Sequence, residues 1–416
     1  MLDVIGLCLS FTAIFAYLNH RYVGLPTTIG VMAASLSLSL ALVGLDAVAP
    51  VDFAHRLRLA ESDLVRSLDF SKLLLQGMLS LLLFAGAMHV DLSMLARHKW
   101  PVLALALIST VASTAIIGLT MHLILPWLGI AMALPYCLLF GALISPTDPV
   151  AVMSILRAAK APQSLETVIT GESLFNDGVG VVLFSLLLSF AASGNAPNAQ
   201  TGALVLLREA VGGLAFGWAL GHLLYRVLAS IDQYDVEVLL TLAAVIGGYA
   251  LANHLEVSGP LAMVVTGIMT GNRSRRYAMS DTTRRYVDMF WELVDEILNA
   301  LLFVFLGMEV LAVSFSGTLL LAGVLAAIVT LASRLVTVGL PVGLFGQRAR
   351  LPTGAWKVLT VGALRGGISV ALALSIPASD ARNTLLAMTY LVVVVSIFGQ
   401  GLTIGPVTRA AVKNPD

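Results

Sequence analysis

The chain has 416 residues, 58% hydrophobic and 12% charged, with basic and acidic side chains in equal number. A soluble domain carries about twice that share of charge, so the composition excludes a soluble protein with one anchor. The zero net charge carries no signal for a nucleic-acid partner, and none is expected.

Long, nearly uncharged runs predict thirteen membrane spans. They fall at roughly 4–20, 25–45, 70–90, 100–125, 132–157, 164–190, 203–229, 236–253, 257–272, 287–312, 317–345, 353–377 and 383–410. Met1-Leu2-Asp3 lacks the basic start of a signal peptide, so the first span is expected to be retained. The loop over 46–69 is polar and mixed in charge, and Asn195-Ala196-Pro197-Asn198 reads as a turn-like linker. Cys8 and Cys137 sit in apolar spans and read as core packing, and the seven histidines show no ligand spacing.

Alternate loops carry Arg21; Arg97 and Lys99; Arg157 and Lys160; Arg226; the arginines over 273–285; Arg348, Arg350 and Lys357; and Arg409 and Lys413. That side holds 16 of the 24 basic residues and the other holds six, so it is predicted to be cytoplasmic. The N-terminus is then outside and the C-terminus inside, as an odd number of spans requires.

Two spans read as broken. Span five contains Ser145-Pro146-Thr147-Asp148-Pro149, where each proline removes a backbone donor and Pro149 pushes Asp148 out of helical geometry. Span twelve contains Gly362-Ala363-Leu364-Arg365-Gly366-Gly367, where glycine makes unwinding cheap. The breaks are the fifth members of two six-span sets, 1–6 and 8–13. Seven crossings separate equivalent spans, so the two sets would form an inverted repeat. Interrupted helices at matching places in two halves point to a transporter's central site.

Span six carries Glu172-Ser173-Leu174-Phe175-Asn176-Asp177. A charge at bilayer centre costs roughly 2.5 kcal/mol or more, so these carboxylates point to an ion or proton site. Ser173 and Asp177, four residues apart, share one helix face. A carboxylate, a hydroxyl and freed carbonyls over 146–148 are hard oxygen ligands for a small cation. The same carboxylate can hold a proton instead, and one group holding either cation but never both gives obligatory exchange.

Asn176 can brace the break through Asp148 or Thr147, or help to coordinate the ion. Arg365 needs a buried partner, with Asp177, Asp148 and Glu172 as candidates. Glu172 is favoured, because it lies roughly 100–140° of helix rotation off the Ser173–Asp177 face. Glu292, Asp295, Glu296 and Asn299 share a face of span ten; they either funnel cations or, the favoured reading, complement a helix N-terminus. Arg334 lies within span eleven with no legible partner. A channel fits a single carboxylate between broken helices poorly, and an intramembrane hydrolase using Ser173 has no histidine near it in sequence to serve as base.

The three motifs, Glu172–Gly178, Ser145–Ala151 and Leu364–Gly367, with Trp291-Glu292-Leu293 and Phe305-Leu306-Gly307, resemble the monovalent cation/proton antiporters of the Na+/H+ exchanger branch, NhaP-like type. The resemblance spans essentially the whole chain. It implies an all-α inner-membrane protein of thirteen helices in two inverted repeats with crossed broken helices, working as a homodimer without a cofactor. Residues 1–95 and 233–314 would form the dimerisation scaffold, 96–192 and 315–416 the moving core, and 193–232 a linker helix.

By the same resemblance Asp177 is the shared cation and proton carboxylate, and Ser173 and the Thr147 carbonyl are ligands of the monovalent cation. Asn176 and Asp148 brace the crossing, and Glu172 pairs with Arg365. An Asn-Asp pair is similar to that of the electroneutral Na+(Li+)/H+ exchangers; K+/H+ exchange on the same scaffold is the alternative. The chain departs from part of the family at Ala85, where a glutamate follows the Leu-Phe pair. With the sequence ending soon after span thirteen, no long C-terminal regulatory domain is expected.

Overall fold

Apolar runs punctuated by proline and glycine give long rods with defined interruptions. The computed structural model describes residues 2–48, 73–193, 199–309, 316–345, 351–352 and 354–412. Most of the 46–69 loop and the linker over 195–198 lie outside the described residues. All regular structure among the described residues is helical.

The first rods are α1 (Leu2–Leu18), α2 (Thr27–Val48) and α3 (Leu79–Met88, preceded by a π turn). Next come α4 (Lys99–Leu128), the half-helices α5 (Leu134–Ile144) and α6 (Val150–Ala158), and α7 (Gln163–Ser193). The chain continues through α8 (Ala199–Leu228), α9 (Tyr234–His254), α10 (Gly259–Met269) and α11 (Asp281–Glu309). It ends with α12 (Gly317–Phe345), the half-helices α13 (Ala355–Val361) and α14 (Gly367–Ser375), and α15 (Asp380–Ala411).

Starts follow local chemistry. Ser258 Oγ accepts Leu261 N–H at the head of α10, and Ser379 Oγ accepts Arg382 N–H at the head of α15. Six of the described helices are each long and apolar enough to cross a membrane: α4, α7, α8, α9, α12 and α15. The segments Gly6–Val23 and Thr27–Ala41 pass the same test together, bent by 109°.

The surface is inverted relative to a soluble protein. Trp127, Leu123, Leu239 and Ile328 face outward, while Glu172, Asp177, Arg334 and Arg365 are buried. This is a multi-pass integral membrane protein.

In the packing, α2 lies on α11, α3 on α10, and α10 on α8; α4 lies on α5, α5 on α7, and α12 on α15 and α4. Close approach at α4–α5 uses a small residue, since a Cβ on Gly141 would stand 2.2 Å from the Thr114 carbonyl oxygen. Pro341 inside α12 frees the carbonyl of Thr337, four residues back, and Ser109 Oγ of α4 donates to it at 2.8 Å. Cys8 and Cys137 are buried free thiols, in keeping with a packing role.

Candidate functional site

Both breaks fall where proline and glycine place them: α5 ends at Ile144 and α6 starts at Val150, while α13 ends at Val361 and α14 starts at Gly367. The unwound backbones meet, with Asp148 N–H donating to the Leu364 carbonyl at 2.8 Å. Each half-helix ends at membrane depth, so its terminal groups need protein partners.

Those partners are charged. Arg365 Nη1 donates to the carbonyls of Ser145 (2.6 Å) and Pro146 (2.9 Å), setting a cation at the negative end of α5. Arg334 Nη2 and Nε donate to the Leu359 carbonyl of α13, at 3.3 and 3.4 Å. Gln400 Nε2 reaches the Val361 carbonyl at 3.4 Å, and Ser396 Oγ accepts Arg365 N–H at 3.0 Å. At the positive ends, Asp148 Oδ1 accepts Val150 N–H of α6 at 2.9 Å. The same carboxylate lies against Gly366, just before α14, where a Cβ would stand 2.1 Å from Asp148 Oδ2.

The expected Glu172–Arg365 pair is not formed. Glu172 pairs with Arg334, whose Nη1 lies 2.5 Å from Oε1 and whose Nη2 lies 2.7 Å from Oε2. The physical reason is that broken helices leave carbonyls as well as charges to satisfy. Arg365 Nη1 takes the two freed by the first break, and Arg334, from α12, reaches both Glu172 and the second. Sequence reasoning named Arg334 without a partner. The signal for its role was the intramembrane arginine itself, since such a charge requires an acid or carbonyls.

On α7, Asn176 braces the first break through Thr147. Its Oδ1 accepts Thr147 N–H at 3.3 Å and its Nδ2 donates to Thr147 Oγ1 at 2.9 Å. Thr147 Oγ1 and Ser173 Oγ lie 2.9 Å apart, hydrogen-bonded. Asp177 is 7% exposed, and among the described residues no hydrogen bond or ion pair engages its carboxylate.

A cavity of about 390 Å³ reaches this group, and Thr147, Asp148, Ser173 and Asp177 lie in its wall. So do Glu292, Asp295, Glu296 and Asn299 of α11. The stripe favoured above as a helix-end complement therefore shares one polar chamber with the crossing. Asn299 Nδ2 donates to Asp295 Oδ1 at 3.0 Å, fixing that carboxylate in the wall. His89 and Arg157 line the same chamber. Two carboxylates and two hydroxyls converging beside unwound backbone can hold a dehydrated monovalent cation.

Residues 9–410 match a family model described as "Sodium/hydrogen exchanger, transmembrane". The Na(+)/H(+) antiporter NhaP of Pseudomonas aeruginosa is 48% identical over 414 residues, covering 98% of this chain and 96% of that protein. The Na(+)/H(+) antiporter NhaH of Halobacillus dabanensis is 34% identical, over 84% of this chain and 86% of that one. In three dimensions the chain is similar to the sodium proton antiporter MjNhaP1 of Methanocaldococcus jannaschii, solved at pH 8. The TM-score is 0.77, with 19% identity and 99% of both chains covered. That likeness speaks to the fold.

Proposed function

Since the chain belongs to the sodium/hydrogen exchanger family, we propose that it exchanges Na+ or Li+ for H+, one for one, by alternating access at Asp177. The antiporter class comes with the family; the observation that carries the site is the contrast among its carboxylates. Glu172 is held by Arg334 and Asp148 by the backbone of α6, while Asp177 is buried at the cavity wall and engaged by no other group among the described residues. A buried anion in that position takes up a cation or a proton.

In this reading Asp177, Ser173 Oγ and the Thr147 carbonyl hold the cation, and Asn176 and Asp148 keep the crossing in place. The chamber wall runs from the crossing to Arg157, at the end of α6 on the side of the basic loops. Basic loop bias makes that side cytoplasmic, so the protein faces inward, with its N-terminus outside and C-terminus inside the cell membrane. Thirteen spans in two inverted repeats account for the order of rods and the two breaks. The grouping of contacts supports a scaffold of spans 1–3 and 8–10 beside a core of spans 4–6 and 11–13; in this reading the core moves and the scaffold pairs as a homodimer.

Proteoliposomes with an imposed pH gradient test this. Na+ or Li+ should collapse the gradient with wild-type protein and fail to do so with Asp177→Asn. Collapse by K+ alone would move the protein to K+/H+ exchange. The observation behind that alternative is Ala85, fully buried where part of the family places a glutamate, which leaves the ligand set one carboxylate short.

A further inference from the structure

Glu237 is a buried acid outside the crossing. It is 0% exposed and neither carboxylate oxygen has a hydrogen-bond partner among the described residues. It lies in the first turn of α9, four residues before Thr241, on the face that packs against α11. There Trp291 Nε1 donates to Thr241 Oγ1 at 3.0 Å. Nearer the start of α11, Thr283 stands beside Glu237 but gives its one hydroxyl proton to Asp232 Oδ1, at 3.1 Å. Asp232, in the loop before α9, is close enough to act on Glu237 electrostatically.

Two carboxylates therefore stand at one hydroxyl, and among the described residues no cation pairs with either. Three arginines at these helix ends are engaged elsewhere: Arg273 lies over the Tyr225 ring, Arg275 pairs with Asp288 and Arg284 with Asp281. An acid in a helix's first turn is ordinarily stabilised by accepting free N–H groups; the backbone of Gln233 lies near enough to act on the Glu237 carboxylate, but no well-formed hydrogen bond reaches either oxygen among the described residues.

We infer that Glu237, Asp232 and the Thr283 hydroxyl form a second binding site for a small cation, a proton or an alkali-metal ion, at the α9–α11 junction and separate from Asp177. The donor set is hard oxygen throughout, as such a cation requires, and the occupant supplies the missing counter-charge to a buried anion. The site and the chamber share α11. Trp291, two turns beyond Thr283 and bonded to the Glu237 face, immediately precedes Glu292 of the chamber wall. This inference does not rest on the reading of Asp177.

The test removes the transport site first. Full-length Asp177→Asn protein, with Trp100, Trp127, Trp218 and Trp356 changed to Phe, keeps Trp291 as its only tryptophan. Its emission is titrated with NaCl against N-methylglucamine chloride at alkaline pH, then with pH alone, with and without Glu237→Gln. A saturable response lost in Glu237→Gln is expected. Competition between Na+ and protons identifies an alkali ion as occupant, and a response to pH alone identifies the proton. Asp232→Asn, at an exposed position, should weaken the midpoint by roughly three- to tenfold. No response to either cation, or the same response in Glu237→Gln, overturns the proposal. Should Glu237→Gln fail to fold, an unshifted Asp232→Asn midpoint overturns it instead.

Discussion

Asn176 and Asp177 are neighbours with opposite duties. Asn176 spends its amide on Thr147, tying α7 to the first break. Asp177 contributes nothing to that tie. Removing the amide should therefore cost stability: Asn176→Ala gives up two buried hydrogen bonds, about 1–3 kcal/mol in all, and lowers the detergent melting temperature. Asp177→Asn should leave the melting temperature at or above that of wild type while abolishing exchange.

The importance of both residues was legible because an acid at membrane depth is rare and the motif around it is dense. The partner of Glu172 was not legible. Arg334 lies 162 residues away, and helix periodicity does not say which of two buried arginines faces a given acid. The sequence reading also weighed only acids as partners for Arg365. It did not count the carbonyls left bare at the end of α5, that of Ser145 by Pro149 and that of Pro146 by the turn of Val150 N–H to Asp148, and those are what Arg365 binds.

At the scale of the element, the crossing is a set of half-helix ends neutralised by fixed charges. Arg334 joins three elements, holding Glu172 of α7 and Leu359 of α13 from its place on α12. Arg334→Gln should destabilise by about 3–5 kcal/mol, because it strands a buried carboxylate. Glu172→Gln in the same protein should recover part of that loss, a coupling that a double-mutant cycle of thermal stability reads directly.

Backbone proximity gives a second test. Gly366→Ala forces a methyl against Asp148 and should lower both stability and exchange rate, whereas Gly339→Ala, with open space around its Cβ, should do neither. The breaks themselves were legible from proline and glycine. Their mutual contact, Asp148 N–H to the Leu364 carbonyl, was not, because it depends on how two distant segments dock.

At the scale of the molecule, α11 turns its acidic stripe toward the crossing. Which way a helix rotates in a bundle is set by packing that a single sequence does not display, so the sequence favoured the helix-end complement over the funnel. In the chamber wall it should concentrate cations. Glu292→Gln with Glu296→Gln is expected to raise the apparent KM for Na+ a few-fold, and the difference should shrink as N-methylglucamine chloride screens the field.

The central claim is that one carboxylate serves both cations in turn. Its most direct measurement is the Na+ dependence of exchange in proteoliposomes at a series of pH values. Competition predicts an apparent KM for Na+ that rises about tenfold per unit of acidification on the acid side, with an unchanged maximal rate at saturating Na+. An apparent KM that stays constant across that range, or Na+-driven exchange persisting in Asp177→Asn, would contradict a shared site at Asp177.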